Sequence, residues 1–66
     1  MSEDYPPFYE GDRARYMGPE RYGLNHGAQV EVTGCRRRSS DEWDVTVKVH
    51  TGERVSVDAD NLDLVP

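Results

Sequence analysis

Trp43-Asp44-Val45-Thr46-Val47-Lys48-Val49-His50 sets an apolar residue against a polar one at every step, the period of a strand that buries one face and wets the other. Thr51-Gly52 supplies a turn, Val55 and Val57 resume the alternation, and Asp58-Ala59-Asp60-Asn61 interrupts it before Leu62, Leu64 and Val65. Asp58 is placed to cap a single 3₁₀ turn, its carboxylate accepting a backbone N–H from Asp60 or Asn61. The interruption also shifts the phase. Val55 and Val57 are odd positions, whereas Leu62 and Leu64 are even, and an uninterrupted strand cannot turn both sets inward. The stretch therefore predicts a long strand, a tight hairpin, a short strand, one helical turn and a last short strand, all β.

Working outward, the long strand runs from Trp43 to about His50 and takes an interior position, since it has the longest alternation and no proline. Trp43, at its start, is expected in the core. Gln29 to Thr33 is a second strand with Val30 and Val32 on one face and Glu31 on the other, and Gly34 either bends or ends it. Arg36 to Glu42 reads as a polar connector between paired strands. Arg13 to Met17 is a first strand, stopped by Gly18-Pro19. From Gly18 to Gly27, a glycine-rich segment reads as a folded-over loop with Leu24 tucked inward.

Sixty-six residues allow one domain, whose core supplies roughly 3–5 kcal/mol and leaves no room for a deep cleft. The single cysteine, Cys35, cannot form an internal disulfide and suits a reducing compartment. No apolar run approaches the length of a signal segment or a membrane span, so the expected location is the cytoplasm. Residues 1–11 read as an acidic, aromatic arm and residues 12–66 as the folded domain. The arm carries Tyr5, Phe8 and Tyr9 beside Pro6-Pro7. Two readings of it stand: rings docked on the domain, adding to a thin core, or a free tail awaiting a partner. Pro6-Pro7-Phe8-Tyr9 also matches the PPxY pattern that WW domains read.

The formal charge is −5, but it is unevenly spread. Residues 1–12 hold Glu3, Asp4, Glu10 and Asp12 and no base. Residues 13–40 hold Arg13, Arg15, Arg21, Arg36, Arg37 and Arg38 against Glu20 and Glu31. Acids again dominate from Asp41 onward.

From about Gly11 to Val65 the chain resembles small SH3-like barrel proteins of bacterial and bacteriophage type, mostly of unassigned function. Gly11-Asp12-Arg13-Ala14-Arg15-Tyr16 resembles their "GD-x-V/A-R" opening strand, and the segment from Arg15 to Leu24 resembles the "YxG…GL…G…V" stretch before their second strand. The resemblance implies a five-stranded SH3-like barrel with a short 3₁₀ turn before its last strand. The type II dihydrofolate reductases share that architecture. Their "GDRVR" opening is similar to Gly11 to Arg15 and their "HPG" hairpin to His50-Thr51-Gly52. Their pore-lining "VQIY", however, falls on Arg54-Val55-Ser56-Val57. With neither glutamine nor tyrosine there, the reductase's cofactor and pterin contacts do not carry over.

His26, Cys35 and His50 share no ligand spacing, and no phosphate loop, acid–base pair or catalytic triad is visible. The expectation is no enzyme, no catalytic residue, no metal and no cofactor. The reading is a small cytoplasmic binding or accessory protein, monomer or dimer, that meets a protein partner through its barrel surface and does not engage membranes. The alternative is a nucleic-acid module clamping phosphates with the Arg36-Arg37-Arg38 run. Arg36, Arg37, Arg38, Tyr22 and Trp43 are the candidate contact residues for either partner.

Overall fold

The structure is a computed structural model and describes residues 6–21 and 23–65. Its elements are β1 (Arg13–Tyr16), β2 (Gln29–Ser39), β3 (Glu42–Lys48), β4 (Arg54–Asp58), a 3₁₀ turn (Ala59–Asn61) and β5 (Leu62–Leu64). The five strands form one antiparallel sheet in the order β4-β3-β2-β1-β5. No pairing joins β4 to β5, so the two edges of the sheet are not hydrogen-bonded to each other. β3 lies between β2 and β4, as its unbroken alternation requires.

Cross-strand partners share a face, and the register carries the apolar set across the sheet. Val32 faces Val47 and Val47 faces Val55; Val45 sits between Cys35 and Val57. Val30 faces Ala14, and Tyr16 faces Leu62. These residues form one cluster with Leu24, Val49 and Phe8, and Val55, Cys35 and Ala59 pack at its margin. The phase shift after Val57 occurs as the sequence requires. Asp58 is extended, its Oδ1 accepts the Asp60 N–H at 3.1 Å, and Leu62 re-enters the sheet facing inward. Leu64 does not follow it. At 58% exposure it lies at the end of the edge strand, outside the core, because β5 has a neighbour on one side only.

The structure corrects two further readings of the sequence and decides a third. β1 stops at Tyr16 and β3 at Lys48, after which Val49 closes the hairpin by donating to the Glu53 carbonyl at 2.9 Å. Gly34 bends β2 without ending it: the register slips between Val32 and Gly34, leaving Thr33 as the extra residue of a β-bulge. The strand then continues through Arg36, Arg37 and Arg38, paired with Asp44 and Trp43, up to a turn at Ser40-Asp41. This span is therefore a strand and not a connector. Its polarity reflects a hairpin that projects past the core, where neither face is covered by the apolar cluster that demands alternation.

Tyr16 holds the loop between β1 and β2 against the sheet. It is fully buried, and its hydroxyl donates to the Pro19 carbonyl at 2.6 Å. Its backbone donates to Ala28 and accepts from Gly27, closing the loop's far end. Leu24 is delivered inward by a tight turn in which Arg21 and Leu24 exchange backbone hydrogen bonds. Gly18 is packed so closely on the Tyr16 ring that a Cβ there would stand 2.7 Å from the Tyr16 oxygen and 2.9 Å from Asn61 Cγ.

The stretch from Phe8 to Asp12 is also tied down. Gly11 donates to Val32 and Val32 to Asp12, extending the β1–β2 ladder, while Asp12 and Tyr9 close a turn through two hydrogen bonds of 2.9 Å. Phe8 is 5% exposed and belongs to the core, whereas Tyr9 is 55% exposed. The PPxY pattern is thus split, with one ring inside, so presenting it to a WW groove would require pulling Phe8 out of the core. Tyr5 lies outside the described residues.

Two expectations follow. Phe8→Ala removes a core ring, at a cost of about 3 kcal/mol, while Tyr9→Ala stays within about 0.5 kcal/mol of wild type. Urea unfolding of both variants checks this, and similar midpoints would contradict the docking of Phe8. Gly18→Ala is expected to lose about 1–3 kcal/mol by overpacking. Gly34→Ala, whose Cβ meets only Thr46 Cβ at 3.9 Å, is expected to match wild type in the same assay.

Candidate functional site

Strand alternation decides what the arginine run can do. Arg36 faces Asp44 on the outer side of the sheet, while Arg37 pairs with Trp43 on the opposite side. A second bulge lies between Arg37 and Ser39. There the Arg38 guanidinium reaches three carboxylates: Glu42 at 3.4 Å, Asp44 at 3.1 Å and Asp58 at 3.4 Å. Arg37 donates to the carbonyls of Ser39 and Ser40 at 3.2 and 3.0 Å and lies 5.9 Å from the centre of the Trp43 ring. The run is therefore divided between two faces, and two of its three guanidiniums are engaged within the hairpin.

Trp43 has the inward parity of Val45 but is only half-buried and outside the core cluster, because it sits on the part of β3 that projects past it. It supports Arg37 by cation–π contact. Tyr22 lies outside the described residues. His50 is exposed, as its parity implied, and His26 is a turn residue whose Nδ1 lies 3.2 Å from the Gly18 carbonyl oxygen. Cys35 is half-buried at the core margin. Burial pushes its thiol above its ordinary range, against the opposing pull of a backbone hydrogen bond from Phe8. Among the described residues no group of His, Cys, Asp or Glu side chains is placed to hold a metal ion, and no helix is long and apolar enough to cross a membrane.

A different set of residues comes together on the outer face. Arg13 is opposite Glu31, Glu31 opposite Lys48, and Lys48 opposite Arg54, so the four stand in one row across β1, β2, β3 and β4. At the normal strand spacing the row is about 14 Å long. Two depressions flank its centre and share Glu31 and Lys48. One, of about 530 Å³, is lined by Glu10, Thr33, Gly34, Thr46 and Arg54. The other, of about 280 Å³, takes in Arg13, Gln29 and His50. Gly34 helps to open the larger one, since it places no side chain opposite Thr46. Thr33, the bulged residue, donates its hydroxyl to the Thr46 carbonyl at 3.2 Å and so fixes the floor.

The row escapes a reading of the sequence because its members lie far apart in the chain and meet only through three registers, one of them displaced by a bulge. The visible signal was limited to the outward parity of Glu31 and Lys48.

Comparison with known proteins found no matching family model, no matching curated protein and no matching solved structure.

Arg38 is the residue whose loss the hairpin should register. Its side chain is 47% exposed, so screening keeps the ion pairs weak, but its removal leaves Asp44 and Asp58 facing each other across β3 and β4. Arg38→Gln is expected to lower stability by about 0.5–1 kcal/mol at low salt, with a smaller loss at high salt. Arg36→Gln is expected to have no measurable effect. Thermal melts at two ionic strengths check both, and equal behaviour of the two variants would refute the network.

Proposed function

We propose that this chain is a non-enzymatic binding protein that recognises a protein partner through the outer face of its sheet, as a small cytoplasmic accessory protein. The observation that carries this reading is the depression around Glu31 and Lys48, where Thr33, Gly34 and Thr46 form a shallow floor among charged side chains. Such a floor is open enough for an extended segment and too shallow to enclose a reacting small molecule. Support for an SH3-like barrel of bacterial or bacteriophage type comes from the succession of long strand, hairpin, short strand, 3₁₀ turn and last strand, the pattern on which the resemblance rests. In this reading the strands curl about the common core, although pairing does not join the sheet's two edges.

The nucleic-acid alternative on Arg36, Arg37 and Arg38 has less support. Phosphate clamping requires several free cations on one surface, whereas Arg38 is held by three carboxylates and Arg37 faces the other side. The formal charge of −5 adds repulsion of a polyanion.

A photocrosslinking residue at Thr46, on the floor, tests the proposal in the source cell against one at Asp41, at the hairpin tip. The expected result is a discrete protein adduct from position 46 that survives nuclease, is suppressed by excess wild-type protein and is missing from position 41. Adducts that vanish on nuclease treatment, or the same adducts from both positions, would overturn it.

A further inference from the structure

Two pairs of like charges face each other directly across β3 and β4, on the same side of the sheet. Asp44 is opposite Asp58, and Lys48 is opposite Arg54. Directly opposed like charges destabilise a sheet. The fold answers the first pair, because Arg38 reaches both carboxylates at 3.1 and 3.4 Å. The second pair is left unanswered: no ion pair joins Lys48 or Arg54 to any described residue. Glu31, opposite Lys48 on its other side, also faces Arg13 and lies within ion-pair distance of neither.

We propose that the row Arg13–Glu31–Lys48–Arg54 is the docking site for an acidic segment of a partner protein, with one carboxylate seated between Lys48 and Arg54. That carboxylate would take the role that Arg38 takes between Asp44 and Asp58, with the signs reversed. The inference rests on the surface-binding function proposed above and assigns its ligand class.

Charge complementarity and spacing narrow the occupant. Arg13 stands two strands from Lys48, roughly 10 Å away, and a polyproline II segment rises about 3.1 Å per residue with every third side chain on the same side. Two acidic residues about three positions apart therefore reach Arg13 and the Lys48–Arg54 pair together. Glu31 lies between these contacts and Glu10 on the rim, which favours uncharged residues between the two acids. The same two glutamates oppose an unbroken line of phosphates, so the row suits a spaced acidic peptide and not a nucleic-acid backbone. The empty outer position of Gly34 and the hydroxyl of Thr46 leave room for the peptide's main chain beside the pair.

The test is fluorescence anisotropy with a labelled Gly/Ser peptide carrying two glutamates three positions apart, beside its glutamine counterpart and an oligothymidylate. Wild-type protein should bind the glutamate peptide saturably at low salt and neither control. Lys48→Gln and Arg54→Gln should each weaken binding about tenfold or more, and Arg36→Gln should leave it unchanged. Arg54→Gln should also raise the Tm of the free protein by about 2 °C, a gain in stability accompanying a loss of binding that general damage to the fold cannot produce. The proposal is overturned by absent saturation, equal binding of the glutamine peptide, preference for the oligothymidylate, or indifference to Lys48→Gln and Arg54→Gln. If the peptide fails while position 46 still yields its protein adduct, the acidic class is wrong and the surface function stands. Failure of both removes both.

Discussion

A buried hydroxyl holds this small domain together. Tyr16 is fully buried, and its phenol oxygen is satisfied only because Pro19 turns its carbonyl back over the ring at 2.6 Å. Breaking that bond would leave a polar group stranded in the core, a penalty of about 1–3 kcal/mol, a large share of what a chain this size has in hand. The bond therefore dictates the path of the loop from Met17 to Ala28. Gly18 must lack a side chain to let the ring lie beneath it, Gly27 returns to the Tyr16 carbonyl, and Leu24 is carried inward to cover the sheet. The last strand depends on the same residue, since Tyr16 faces Leu62 and the next residue, Met17, donates to Asn61 at 2.7 Å.

Once one face of the sheet is committed to the core, all charge must collect on the other face, at the edges or on the projecting hairpin. The register then determines which charges meet. Arg38 draws together Glu42, Asp44 and Asp58 from two strands, which turns the hairpin into an internally compensated unit. Toward the other end of β3 and β4, the same rule brings Lys48 against Arg54 with no counter-ion among the described residues. A formal charge of −5 thus gives no picture of the surface, because the cations and acids segregate along the strands.

What was legible in the sequence follows a physical division. The alternation of Val45, Val47 and Val49 with polar residues, the capping by Asp58 and the inward turn of Leu24 are local signals, and the structure contains each of them. Beyond the core, periodicity carries no information. Arg36 to Arg38 read as a loop because a strand with solvent on both sides has nothing to alternate against, and Trp43 read as core although its neighbours end before it. Leu64 has the right parity and the wrong place, on an edge without a second neighbour. Phe8 was legible only as one ring among three in the arm, since its burial depends on the turn that Asp12 closes with Tyr9 and on the ladder from Gly11 to Val32. Of the candidate contact residues named from sequence, none belongs to the outer row, because that row is a product of non-local pairing.

Stability and the proposed recognition are set against each other on that row. A directly opposed pair of like charges costs roughly 0.2–1 kcal/mol, and in a domain held by a few kcal/mol such a cost is tolerable only if the core is well closed. Phe8 helps to close it from outside the sheet, adding an aromatic ring to a cluster built mainly of valines. The ring that completes the core and the cations left uncompensated on the outer face are in this sense linked. Firm burial of Phe8, Tyr16 and Leu24 on one side allows the other side to keep Lys48 and Arg54 opposed with no ion pair among the described residues, and under the proposed docking a carboxylate arriving from a partner would find both cations already in position and relieve that repulsion.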